Sequence, residues 1–154
     1  MAHPRLKKIS WIAAIAIGSA LVFAQLVPYG RSHTNPPVAA EPVWDSPATR
    51  TLAQRACFDC HSNETRWPWY SHVAPSSWLL QNHVDEGRRT LNFSEFATAF
   101  EEAHEAGQSV RDRSMPPRSY LLLHPEARLT VAEREQLARG LDASILGARG
   151  SHAD

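Results

Sequence analysis

Cysteine is scarce in this 154-residue chain: there are two, Cys57 and Cys60, which excludes a disulfide-dense scaffold. Lysine is absent after Lys8, so every later basic residue is Arg or His, and no acidic residue precedes Glu41. Net charge is also absent, with 16 Lys+Arg against 16 Asp+Glu, which leaves no electrostatic case for binding nucleic acid. Arg5, Lys7 and Lys8 all lie in the first eight residues, so the chain from residue 28 onward carries 13 basic against 16 acidic residues. Sustained period-two alternation is missing, which argues against a sheet, and there are no internal repeats. Hydrophobic residues at 43% and charged residues at 21% exclude a disordered chain.

The first feature present is an apolar run from Ile9 to Val27, broken only by Ser10, Gly18, Ser19 and Gln25. A bilayer-spanning helix needs about 20 apolar residues, and basic residues precede the run. The sequence therefore predicts that residues 1–27 are a membrane anchor or signal segment, read first as a single N-terminal transmembrane helix. The remainder would then lie on the periplasmic side of the cytoplasmic membrane. The alternative is a cleaved signal peptide, with Val22 and Ala24 before the cut at Gln25, which would leave a soluble periplasmic protein. Residues 28–44 carry Pro28, Pro36, Pro37 and Pro42 without hydrophobic period and read as an extended linker.

From residue 45 the signals are helical. Asp45 or Ser46 can cap a helix through Ala48–Ala56, with Pro47 in its first turn. A second helix is expected from Ser76 or Ser77 to about Arg89. A third is expected from about Ser94, where Phe93, Phe96, Phe100 and Ala103 recur at helical spacing. A fourth opens at the capping box Thr130–Glu133 and carries Leu137, Leu141 and Ile145 on one face. The polar tail, residues 147–154, is expected to be flexible. Residues 45–146 thus form a small all-α domain with a thin core. Its two long stretches Ser62–Pro75 and Gln108–Leu129 are expected to be loops, rich in Trp, Pro and Arg, which suits wrapping something apolar and rigid.

Cys57-Phe58-Asp59-Cys60-His61 is a C-x-x-C-H sequence, the attachment pattern of c-type haem. Residues three and four apart share a helix face, so two thiols can form thioethers to one porphyrin while the imidazole ligates its iron. A thioredoxin-type site would want a βαβ context, and a structural zinc site would want four ligands. Met115, the only methionine besides Met1, stands before Pro116-Pro117 and is the first candidate for the distal ligand. His83, His72, His104 and His124 compete, as does an open iron. Trp67, Trp69, Tyr70 and Trp78 are expected pocket walls, with ordinary core packing as the alternative. Arg66 or Arg118 could pair with haem propionates.

Residues Cys57–Phe96, CFDCHSNETRWPWYSHVAPSSWLLQNHVDEGRRTLNFSEF, and Met115–Glu133, MPPRSYLLLHPEARLTVAE, resemble the bacterial haem-binding domain family of small monohaem c-type cytochrome modules. The resemblance covers about residues 45–146. It implies a cytochrome-c-like helical domain with one covalent haem c through Cys57 and Cys60 and with His61 as axial ligand. The chain departs from the pattern at Phe96, where Trp is expected, and at Arg111-Asp112-Arg113, where acidic residues are expected. The expected function is one-electron transfer with a periplasmic or membrane-bound redox protein, a carrier rather than an enzyme. The rival is a haem peroxidase-like or ligand-sensing domain with open distal iron.

Overall fold

The computed structural model describes residues 4–96 and 101–150. Seven helices follow in order among them: α1 (Pro4–Ala24), α2 (Pro47–Ala56), α3 (Phe58–His61), α4 (Ser76–Thr90), α5 (Ala106–Arg111), α6 (Arg118–Leu123) and α7 (Val131–Gly150). Short 3-10 turns lie at Trp69–His72, Glu101–Glu105 and Pro125–Ala127. There is no strand among the described residues; Ala40 and Glu95 form an isolated bridge. The chain divides into two compact units: Met1–His33 with Trp67–Asn82, and Thr34–Arg66 with His83–Asp154.

In the first unit, α1 corrects the expectation of a transmembrane helix and of single-pass membrane placement. No helix is long and apolar enough, among the described residues, to cross a membrane. The 19-residue run does not become 19 helical residues. The helix stops at Ala24, and the N–H groups of Gln25, Leu26 and Val27 turn back to the carbonyls of Val22, Phe23 and Ala24. The apolar helical stretch is then Ile9–Ala24, about 24 Å at 1.5 Å per residue against a hydrocarbon core of about 30 Å. Gln25 has a different use. Its amide donates to the Ala74 carbonyl at 2.9 Å and accepts from the Ala74 N–H at 3.1 Å. Gly30, at φ +75°, passes so close to Ser77 that a Cβ would strike the Ser77 carbonyl.

The second unit holds the core. Ser46 caps α2, its side chain accepting from the Thr49 N–H, with Pro47 just inside, a device worth about 1 kcal/mol. α7 starts with the expected reciprocal box: the Thr130 N–H donates to Glu133 at 2.8 Å and the Glu133 N–H to Thr130 Oγ1 at 3.2 Å. Leu137, Leu141 and Ile145 are buried on one face of α7, against Leu52, Ala53 and Ala56 of α2 and Val110 of α5. Gly140 lets α7 reach α2, since a Cβ there would strike the Thr49 side chain. Trp44, Phe58 and Phe93 close the other side, with Phe58 and Phe93 stacked at 5.6 Å between centroids.

The helix expected from Ser94 does not start there. Residues 91–96 run as turns, because polar side chains take over the backbone groups a helix would use. The Ser94 N–H donates to Asn92 Oδ1, and the Ser94 carbonyl accepts from Ala39 and Ala40. Phe93 and Ala103 are still core residues, and Phe100 lies outside the described residues. The segment Gln108–Leu129, read as a loop, contains the end of α5, all of α6 and a 3-10 turn. The backbone of α7 continues to Gly150, three residues past the expected start of the tail.

Candidate functional site

The C-x-x-C-H sequence forms one helical turn in the second unit. The Cys57 N–H still donates to the Ala53 carbonyl of α2 at 2.7 Å, and the Cys57 carbonyl then accepts from the N–H groups of Cys60 and His61 at 3.1 and 2.9 Å. Both thiols are free. Burial pushes Cys57 up to about 12 and Cys60 to about 11. Thiols held that far above their ordinary value are poor thiolate nucleophiles, unlike the lowered cysteine of a dithiol oxidoreductase.

His61 Nδ1 lies 3.0 Å from the Leu91 carbonyl. A carbonyl can only accept, so Nδ1 donates and Nε2 keeps its lone pair, the arrangement a metal-ligating imidazole needs. Burial lowers the pKa of His61, so the ring is held neutral, while the Leu91 and Gly87 carbonyls oppose that shift. One glycine-dependent contact lies on this turn: at Gly87 of α4, a Cβ would run into the Cys60 carbonyl and crowd the Cys60 Cβ. Glycine thus allows the last turn of α4 to lie on the attachment turn, with the Gly87 carbonyl and that of Leu91, just beyond α4, facing His61.

The residues after His61 are pinned by a buried polar network. The Phe93 N–H donates to the His61 carbonyl at 2.8 Å. Ser62 Oγ donates to the Phe58 carbonyl and accepts from the Glu64 N–H. The Asn63 N–H donates to Ser94 Oγ, its side-chain amide donates to Pro37 O and Glu95, and its Oδ1 accepts from Asn92. Arg88 donates to the carbonyls of Ser62 and Thr34 and to Thr65 Oγ1. Satisfied buried networks of this kind fix one geometry.

Asp59, inside the motif, is buried and accepts from the Arg66 N–H at 3.2 Å, Arg66 Nε at 3.0 Å, Arg66 Nη2 at 3.1 Å and Tyr120 Oη at 2.7 Å. Arg66, considered for a propionate, is thus paired with Asp59. Burial, then the hydrogen bond to Asp59, raises the Tyr120 phenol well above its ordinary value, so it stays a donor. Tyr120 stacks on His124 at 4.1 Å and 9°.

Met115 sits in the loop between α5 and α6, 38% exposed, with its N–H on the Ser109 carbonyl at 3.0 Å and a cis bond to Pro116. It belongs to the same unit as Cys57, Cys60 and His61. His83 and His104 are exposed. Trp67, Trp69, Tyr70, Trp78 and His72 belong to the first unit. There Trp67 lies 4.7 Å from His33 between ring centroids, and Trp69 meets Tyr70 edge-on at 5.9 Å.

Sequence reasoning missed Gly87, the Leu91 carbonyl, the Asn63–Asn92–Ser94 network and the Asp59–Tyr120 bond. A glycine inside the helical pattern of residues 76–90 was a readable sign of close packing. The other three join residues 29 to 61 positions apart and leave no local trace.

The donor set fits haem: two neutral thiols at i and i+3, and a neutral imidazole at i+4 with its lone pair on Nε2. Among the described residues, no three His, Cys, Asp or Glu side chains group as a metal-ion site, so the two cysteines lack the partners that a four-ligand zinc centre requires. The chain belongs to the haem-binding domain family, whose model matches residues 19–143, and it binds haem. No curated protein and no solved structure matches the chain.

Proposed function

We propose that this chain is a monohaem c-type electron carrier of the bacterial periplasm. The observation that supports this best is the Cys57–His61 turn, with Nδ1 of His61 on the Leu91 carbonyl. When bound, haem c supplies a one-electron couple between ferric and ferrous iron. Cys57 and Cys60 would hold it as two thioethers. His61 would ligate the iron through Nε2, and the Leu91 carbonyl would keep the ring from rotating. Met115 would be the distal ligand, a neutral soft donor that favours the ferrous state and raises the potential relative to two histidines. A basic start followed by an apolar run suits export. The excess of acidic over basic residues beyond residue 27 suits docking to a basic face of a redox partner protein.

The test is potentiometry and spectroscopy on the full chain matured in a host that attaches haem c. The account predicts a reversible one-electron couple and a ferric near-infrared band from thioether ligation. Met115→Ala should abolish the band, lower the potential and let carbon monoxide bind the ferrous form. A wild type that binds carbon monoxide and peroxide as readily as this variant would favour the open-iron enzyme instead.

A further inference from the structure

The helix that follows the Met-Pro-Pro sequence is weakly seated. α6 has no buried residue, and Leu122 and Leu123 are 76% and 64% exposed. Tyr120 and Leu121 are only half-buried, so apolar packing fixes it weakly. Residues just after it supply local ties: Arg128 donates to the Leu121 carbonyl, and His124 stacks on Tyr120. One bond reaches further. Tyr120 Oη donates at 2.7 Å to the buried Asp59, a residue of the C-x-x-C-H turn whose carboxylate also accepts from Arg66. The Asp59 carbonyl is fixed in turn by Thr65 Oγ1 at 2.9 Å. Upstream, Met115 is tied to Ser109 of α5 through its own N–H. The segment from Met115 to Tyr120 is thus fastened at both ends, once to α5 and once to the attachment turn itself.

We propose that Tyr120 is a positioning residue for the sixth coordination site, its hydrogen bond to Asp59 holding the Met115 segment in fixed register with the Cys57–His61 turn. This rests on the reading of Met115 as distal ligand. Tyr120 touches neither iron nor thioether in this role. It limits how far the segment departs when the thioether leaves the iron. Capture of an external ligand is the readout: the thioether leaves, cyanide donates its electron pair to ferric iron, and no electron is transferred between oxidation states.

The experiment compares haem-loaded full-length wild type, Met115→Ala, Tyr120→Phe and Leu122→Ala. Phenylalanine keeps the ring that stacks on His124 and removes only the hydroxyl. Loss of a hydrogen bond to a charged group predicts that Tyr120→Phe captures cyanide about tenfold faster or more, with a weakened near-infrared band and unchanged covalent haem staining. Leu122→Ala, on the same helix without the bond, should capture at the wild-type rate. A merely structural role would lower the melting temperature of Tyr120→Phe but leave capture unchanged well below it. If Met115→Ala alters the spectrum and Tyr120→Phe captures at the wild-type rate, the positioning role is wrong and the ligand reading survives. Equal acceleration in Leu122→Ala also overturns the role, because general loosening of α6 would then explain it. If the wild type lacks the band and Met115→Ala changes nothing, the ligand reading fails and takes this role with it.

Discussion

Gly87→Ala sets two opposing effects against each other, and the structure decides between them. In an ordinary helix interior, Ala is favoured over Gly by about 1 kcal/mol. Position 87 is not ordinary, because the new Cβ would meet the Cys60 carbonyl and the Cys60 Cβ. Overpacking costs about 1–3 kcal/mol, and the upper half of that range applies where the obstacle is backbone and cannot rotate aside. The net is a destabilisation of about 1–2 kcal/mol, or roughly 2–8 °C in melting temperature for a chain of this size. The displacement falls on the turn that carries Cys60 and His61, so haem loading should fall along with stability. Urea unfolding of the apoprotein measures the first effect, and haem absorbance per polypeptide measures the second. If Gly87→Ala is as stable as wild type or more so, helix propensity has won and the close approach of α4 to the motif is wrong.

Two further outcomes follow from the second unit. The Thr130 N–H and Arg55 depress Glu133 to about 2, below its ordinary value of 4.5. The sign is that of a lowered acid: its stabilisation is complete above about 4.5 and is lost as pH falls through 2, so Glu133→Gln should flatten part of the acid limb of a stability profile in that window. Leu137→Ala, at a fully buried position of α7, should cost about 2–5 kcal/mol in urea unfolding, and a cost under 1 would contradict its place in the core.

The helices that could be read in the sequence are those with local signals. Ser46-Pro47 and Thr130–Glu133 announce α2 and α7 with capping chemistry, and Leu137, Leu141 and Ile145 mark the buried face of α7. The start of α4 at Ser76 was also legible. The stripe from Phe93 misled because apolar spacing identifies burial more surely than conformation: Asn92 and Ser94 spend their hydrogen bonds on turns. The transmembrane expectation failed for a related reason. An apolar run specifies its composition but not where its helix ends, and Gln25 turns the chain at Ala24 to pair with Ala74. At the site, the C-x-x-C-H spacing was local and readable. Its supports are carbonyls and side chains distant in sequence, Leu91 behind His61 and Tyr120 against Asp59.

Covalent attachment of haem through Cys57 and Cys60 is the central claim, and intact-mass measurement of the mature protein tests it most directly. Protein made in a host that matures a control cytochrome c should carry the mass of its polypeptide plus one haem and keep haem staining after denaturing electrophoresis. The Cys57→Ala, Cys60→Ala double variant should carry the polypeptide mass alone. A wild-type mass with no haem added, from cells in which the control is fully loaded, would contradict the account.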